Sequence, residues 1–382
     1  MTQREHHINA ETLTMVRDKS VTLHIRNRMK EMHHADIDAD KNYNRNLQAM
    51  RFIFCMLIVF SHLAGFDFGG ECGVAFFFIT SGFVCSMSYS KRPEKDTSPL
   101  ALTARQLKKF YPIHIITLIP FLAIGILSTH SVNMRLLAAN LLLIQSWIPD
   151  PAYHFGMNGT SWFLSSLLFC YLSFPLLYPV GMKSGKKQLI AIMSCILAVY
   201  CSFAHLVTEQ YLLYVFPPAR LIDFFIGILC FRIFQKYGKY ITSGHYDASS
   251  AKVSAMQMTA VALVAASIPV YYIAPLWIKA SAMFWLFLPP AMMMLIFTDN
   301  QDGILTKLLH SKAIQIGGEI SLEIFLMQLP VIVVLKNVII RAGLDPESIV
   351  SYFLITIILL ILSYILHKLM QYLRHNQSAD NI

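Results

Sequence analysis

The chain has 382 residues, 55% of them hydrophobic and 14% charged, with a formal net charge of +9 at pH 7 and a mean hydropathy of +0.52. Soluble domains carry about a quarter charged residues, so a water-facing globule is excluded: the polar surface is too small to cover the apolar mass. Lys and Arg are bunched between long apolar runs, not interleaved with aromatics on a soluble domain, so nucleic acid is not an expected partner. No P-loop, dinucleotide fingerprint or Cys/His ligand spacing occurs, and no metal is expected.

In chain order, residues 1–47 are polar and mixed in charge. They lack the apolar core and small-residue cleavage site of a cleavable leader, and read as a cytoplasmic segment. Residues 48–370 carry apolar runs near the roughly 20 residues that cross a bilayer. The fold expected is all-α and polytopic, with about ten transmembrane helices at 48–66, 70–90, 110–129, 160–180, 188–207, 219–235, 254–274, 281–298, 314–336 and 350–370. The apolar stretch 131–150 is short and reads as a loop dipping into the interface; if it crossed, the topology after it would invert. Residues 371–382 form the tail.

Basic residues set the orientation, because cytoplasmic loops carry the Lys and Arg excess. The N-terminal segment, the loop after the second span, and the segments after the fourth, sixth and tenth spans hold most of them. The other side keeps Arg135, Arg220, Lys279, Lys336 and Arg341. Both termini are therefore expected in the cytoplasm. The seven cysteines lie mostly within spans and read as small packing residues.

Polar side chains at membrane depth are expensive, so each is a functional candidate. Arg51 and His62, in RFIFCMLIVFSH, are almost three helical turns apart, share one face, and are separated by roughly 16 Å. Taken singly, Arg51 could be a snorkelling anchor and His62 a packed core residue. The second span, GVAFFFITSGF, centres on Ser81 and Gly82, a small pair suited to close helix packing. RQLKKFYPIH places Arg105, Lys108 and Lys109 where a cytoplasmic loop enters the third span. They serve either as topological charge or as a cradle for the phosphates of a donor. FPPARLIDFFIG sets Arg220, Asp223 and Gly227 on one face of the sixth span; the first two can pair, which lowers their burial cost. GGEISLEIFLMQLP sets Glu319 and Glu323 one turn apart in the ninth span.

Together these elements resemble the membrane acyltransferase 3 family, bacterial O-acyltransferases of surface polysaccharides and related glycans. Arg51 and His62 match its signature of arginine, ten residues, histidine. AFFFITSGF is similar to its FF-x-x-SGF element and RQLKKFYP to its R-x-x-R-I-Y-P loop. NGTSWFLSSLLFCYLSFPLLYP, FPPARLIDFFIG and GGEISLEIFLMQLP follow in the family's order, so the likeness runs from about 45 to 370. The chain departs from the pattern at Leu167 (or Ser166), where the family has Glu, and at Lys108 or Lys109, where it has a second Arg. Leu322 stands in place of a Tyr and Gln328 in place of a late His.

The resemblance implies an O-acyltransferase of the bacterial inner membrane. The donor would be acyl-CoA, acetyl-CoA as the expected form, and the acceptor a sugar hydroxyl of a surface polysaccharide or lipid-linked glycan. The donor's polyanionic end would meet Arg51, Arg105, Lys108 and Lys109. His62 would act as general base or carry the acyl group briefly; an unperturbed imidazole, with its pKa near 6.5, suits the first role. Asn158, Trp162, Arg220, Asp223 and Glu319 would bind the substrate, with Asn158 and Trp162 meeting the sugar from the outer side and Arg220 stabilising developing oxyanion charge. A different class stays open: a transporter or flippase for a lipid-linked glycan, using the same charges as a pathway. A polysaccharide polymerase fits less well, because the outer loops are short.

Overall fold

The computed structural model describes residues 45–65, 69–91, 98–206, 211–242, 250–273, 288–298 and 303–379. The expected N-terminal segment therefore lies outside the described residues except for its last three, which open the first helix. All regular structure among the described residues is helical. Among the described residues, seven helices are long and apolar enough to cross a membrane. They are α1 (Arg45–Ala64), α2 (Gly70–Ser90), α3 (Pro99–Thr129), α6 (Trp162–Lys183), α9 (Ser250–Ile273), α13 (Ser321–Arg341) and α14 (Ile349–Ala379). Between them lie α4 (Met134–Leu141), α5 (Pro151–His154), α7 (Lys186–Leu206), α8 (Pro217–Thr242), α10 (Leu288–Thr298), α11 (Ile304–Leu309) and α12 (Lys312–Glu319). Helices α7 and α8 occupy the expected fifth and sixth spans. Helix α10 covers the end of the expected eighth, whose first seven residues, 281–287, lie outside the described residues.

Two boundaries differ from the sequence reading, and one expected non-spanning loop is kept. Helix α3 begins at Pro99, eleven residues before the expected 110, so Arg105, Lys108 and Lys109 sit on helix and not in a loop. The start signal is local: the Ala101 N–H donates to Ser98 Oγ at 3.1 Å, and Pro99 fills the first turn, where its missing N–H costs nothing. Pro112 and Pro120 then sit inside the helix without ending it, as membrane helices tolerate. The expected ninth span, 314–336, is two helices, α12 and α13, that meet at Ile320. Finally, 131–150 contains only the eight-residue α4 and a 3-10 turn, Gln145–Trp147. At 1.5 Å per residue, α4 is about 12 Å long, too short to cross.

Glycine sets the closest packing. A Cβ on Gly82 of α2 would lie 2.0 Å from the Phe224 carbonyl of α8, and one on Gly227 would lie 2.0 Å from that of Ile79. The two backbones touch, the arrangement that small residues permit in membranes. Close glycine packing also occurs just before the α12–α13 break. A Cβ on Gly317 would lie 2.4 Å from the Phe52 ring, and one on Gly318 would lie 2.1 Å from the Gln48 carbonyl of α1. Around these contacts Phe54, Phe76, Phe78, Phe83, Phe174 and Phe224 are fully buried. Five cysteines, Cys55, Cys72, Cys85, Cys170 and Cys230, pack among them as free thiols.

The bundle has two unlike ends. At one, the start of α1 is tied down by side-chain amides: Asn46 donates to the Phe297 carbonyl at 2.8 Å and Gln48 to that of Gln315 at 2.9 Å. Arg45, Lys91, Arg105, Lys109, Lys183, Arg232 and Arg374 belong to this basic end. The opposite end is capped by the 130–161 segment and a π-turn, Tyr211–Val215.

Candidate active site

A cavity of about 290 Å³ opens at the basic end between α1, α2, α3, α6 and α13. Arg51 reaches it from the second turn of α1, and Arg105 and Lys109 from α3, where their i, i+4 spacing puts them on one face. Thr80, Ser81 and Gln106 add hydroxyl and amide groups to the wall. Arg51 is half-buried, and its guanidinium makes no hydrogen bond or ion pair among the described residues. Glu323 lies within Coulombic reach of it. A guanidinium offers five donors in a fixed fork, so this wall suits phosphate or carboxylate oxygens. Lys108 is exposed and outside the lining, so two of the three expected α3 cations face the cavity. The reason is helical: Lys108 is turned about 100° from Lys109.

His62 lies near the far end of α1 and outside the cavity. Its Nδ1 is 3.0 Å from the Ile58 carbonyl and 3.1 Å from Gln328 Oε1 of α13. The Gln328 amide is oriented by its own donation to the Phe325 carbonyl at 2.8 Å, which leaves its oxygen toward the imidazole. With two acceptors, Nδ1 must carry the proton and donate, and the basic lone pair of the neutral ring is on Nε2. The ring itself is exposed. The helix end beneath it is held by Lys336, which donates to the Leu63 carbonyl at 2.9 Å and pairs with Glu347 at 2.7 Å. Outside the spans, that ammonium holds the Glu347 carboxyl below its ordinary range.

The remaining expected residues are placed differently. Arg220 and Asp223 form an ion pair at 2.7 Å, both buried. The guanidinium lies 4.6 Å from the Tyr214 ring centre, 5.7 Å from that of Phe78 and 5.8 Å from that of Trp162. Arg220 also donates to the Tyr214 carbonyl, so it closes the π-turn onto α8. Asn158 is fully buried: its amide donates to Thr117 Oγ1 at 3.0 Å and to the Leu326 carbonyl at 2.9 Å, and its oxygen accepts from Thr160. It clamps the 130–161 cap to α3 and α13. Glu319 is exposed at the end of α12, not on one helix with Glu323, because the chain turns at Ile320. Arg51, Arg105 and Lys109 thus come together in one cavity, with His62 beyond it. Asn158, Trp162, Arg220 and Asp223 support the opposite end, and Glu319 stands apart.

Two groups around the site carry no assigned role in the sequence reading. Gln328 was noted only as a departure from a family pattern, and its bond to His62 spans 266 positions. Glu323 is buried and accepts from His367 Nδ1 at 2.8 Å. Gln371, itself oriented by Lys368, completes that chain by donating to His367 Nε2 at 2.9 Å. The cue for Glu323 was a carboxylate in an otherwise apolar span.

The profile of acyltransferase 3, an acyltransferase domain, matches residues 44–368. Acyltransferase MdmB of Streptomyces mycarofaciens is 31% identical over 183 residues, which is 42% of this chain and 46% of that protein. The match therefore spans about half the length of that relative. No solved structure matches.

Proposed function

The chain belongs to the acyltransferase 3 family, and on that premise we propose that it transfers an acyl group, acetyl in the simplest case, from acyl-CoA to a sugar hydroxyl of a surface polysaccharide or lipid-linked glycan. It is an acyltransferase and a multi-pass membrane protein; the proposal concerns donor, acceptor, residues and the bacterial inner membrane as its place. The observation that carries the reading is the pairing of a cation-lined cavity with a histidine whose tautomer is fixed. Arg51, Arg105 and Lys109 bind the phosphates of CoA from the basic, cytoplasmic side, where charge-assisted bonds are strongest. His62 Nε2 takes the proton of the acceptor hydroxyl as that oxygen attacks the thioester carbonyl. The C–S bond breaks, and the imidazolium returns its proton to the leaving thiolate, giving free CoA and the ester. Gln328 is a positioning residue: it accepts from Nδ1–H and is placed to stabilise the imidazolium that forms.

The test is NMR of the surface glycan from a strain lacking the gene, complemented with wild type or with His62→Ala. O-acyl signals that return with wild type and stay absent with an equally abundant His62→Ala protein support the reading and identify the acceptor sugar. Identical acylation in all three strains rejects glycan acylation.

A further inference from the structure

We propose that Phe77, Phe163 and Phe325 form an aromatic partition between the basic-end cavity and His62, and that the space around the three rings sets the size of acyl group that reaches the histidine. The inference rests on the acyl-CoA reading above. The rings come from three helices, α2, α6 and α13. Their centres are 6.3 Å apart for Phe77 and Phe163, 6.1 Å for Phe77 and Phe325, and 5.1 Å for Phe163 and Phe325. All three line the cavity that holds Arg51. Phe163 and Phe325 are buried, whereas Phe77 is half-buried.

Helices α1 and α13 run in the same direction, and their register orders the groups along the bundle. Cys55 Sγ lies 3.4 Å from the Ser321 carbonyl, and His62 meets Gln328. Arg51 therefore comes first, then Ser321, then Phe325. Gln328 follows about 4.5 Å further along the axis, donating to the carbonyl of Phe325 itself. An acyl group delivered by a donor seated at Arg51 meets the rings before it meets the imidazole.

Aromatic rings suit that position. They exclude water from the thioester on the donor side, and they sit in tilted and edge-on contacts rather than a locked stack. A ring can then turn about its side-chain torsions without a shift of its helix. Discrimination in such a pocket is steep, because one methylene more or less typically changes affinity by about 10- to 200-fold.

Binding to the full-length protein in detergent, measured by calorimetry with CoA, acetyl-CoA and hexanoyl-CoA, tests this without any acceptor. Wild type should bind CoA and acetyl-CoA alike, and hexanoyl-CoA at least about tenfold more weakly. Phe325→Ala should bring hexanoyl-CoA affinity close to the CoA affinity of the same variant, with a smaller shift in the same direction for Phe77→Leu. If Phe325→Ala no longer binds CoA, Phe77→Leu alone decides. A hexanoyl-to-CoA ratio unchanged in every variant that still binds CoA overturns the partition and leaves the donor reading intact. So does a wild type that binds hexanoyl-CoA as tightly as CoA. A wild type that binds no CoA overturns the donor reading, and the partition with it.

Discussion

Arg51 and Arg220 are both arginines set within apolar helices, and the protein surrounds them in opposite ways. Arg220 is 5% exposed and its guanidinium is taken up by Asp223, a backbone carbonyl and three aromatic rings. Arg51 is half-buried against a cavity and makes no hydrogen bond or ion pair among the described residues. The same residue type at membrane depth is a structural fastener where the protein supplies its partners, and in the proposed function a ligand-binding group where it does not. Cost alone marks both; only the disposition of partners separates them.

That contrast can be broken in order of expected effect. Asp223→Ala leaves a buried guanidinium uncompensated, which typically costs about 3–5 kcal/mol. The variant should lose its monodisperse peak in detergent, and a folded, fully active Asp223→Ala would mean that the pair is no fastener. Arg51→Ala should keep the peak and weaken CoA binding. Hydrogen bonds to charged groups are worth about 1.5–3 kcal/mol, so the dissociation constant should rise about 10- to 100-fold, and an unchanged constant would return Arg51 to the role of an interfacial anchor. Gln328→Ala removes one acceptor from His62, worth about 0.5–1.5 kcal/mol. It should lower kcat several-fold with KM for the donor unchanged; an equal rise in KM would place Gln328 in donor binding instead. Lys108→Ala, exposed and outside the cavity, should change donor affinity less than about twofold, in contrast to Lys109→Ala one residue away.

Much of this is legible in the chain itself. Hydropathy gave the all-α membrane architecture, because burial in lipid forces long apolar helices whatever their order. The spacing of Arg51 and His62 put them on one face, since helical periodicity is local. What was not legible depends on distant partners or on short signals. The start of α3 was written in Ser98 and Pro99, but the apolar run that dominates the reading begins at Phe110. The break before Ser321 lies beside Gly317 and Gly318, which meet Phe52 and Gln48 some 265 residues earlier, and it separates Glu319 from Glu323. Asn158 looked available from sequence, yet its amide is consumed by Thr117 and Leu326. No spacing rule could have paired them.

The account stands or falls most directly on His62. Membrane vesicles from cells lacking the native gene, supplied with acetyl-CoA labelled in the acetyl group, should incorporate label into the glycan fraction with wild type. Incorporation with an equally abundant, monodisperse His62→Ala protein should fall about 10²- to 10⁴-fold while its affinity for CoA stays unchanged. Equal incorporation by the two proteins would contradict the account, because acyl transfer would then proceed without the imidazole that Ile58 and Gln328 hold in place.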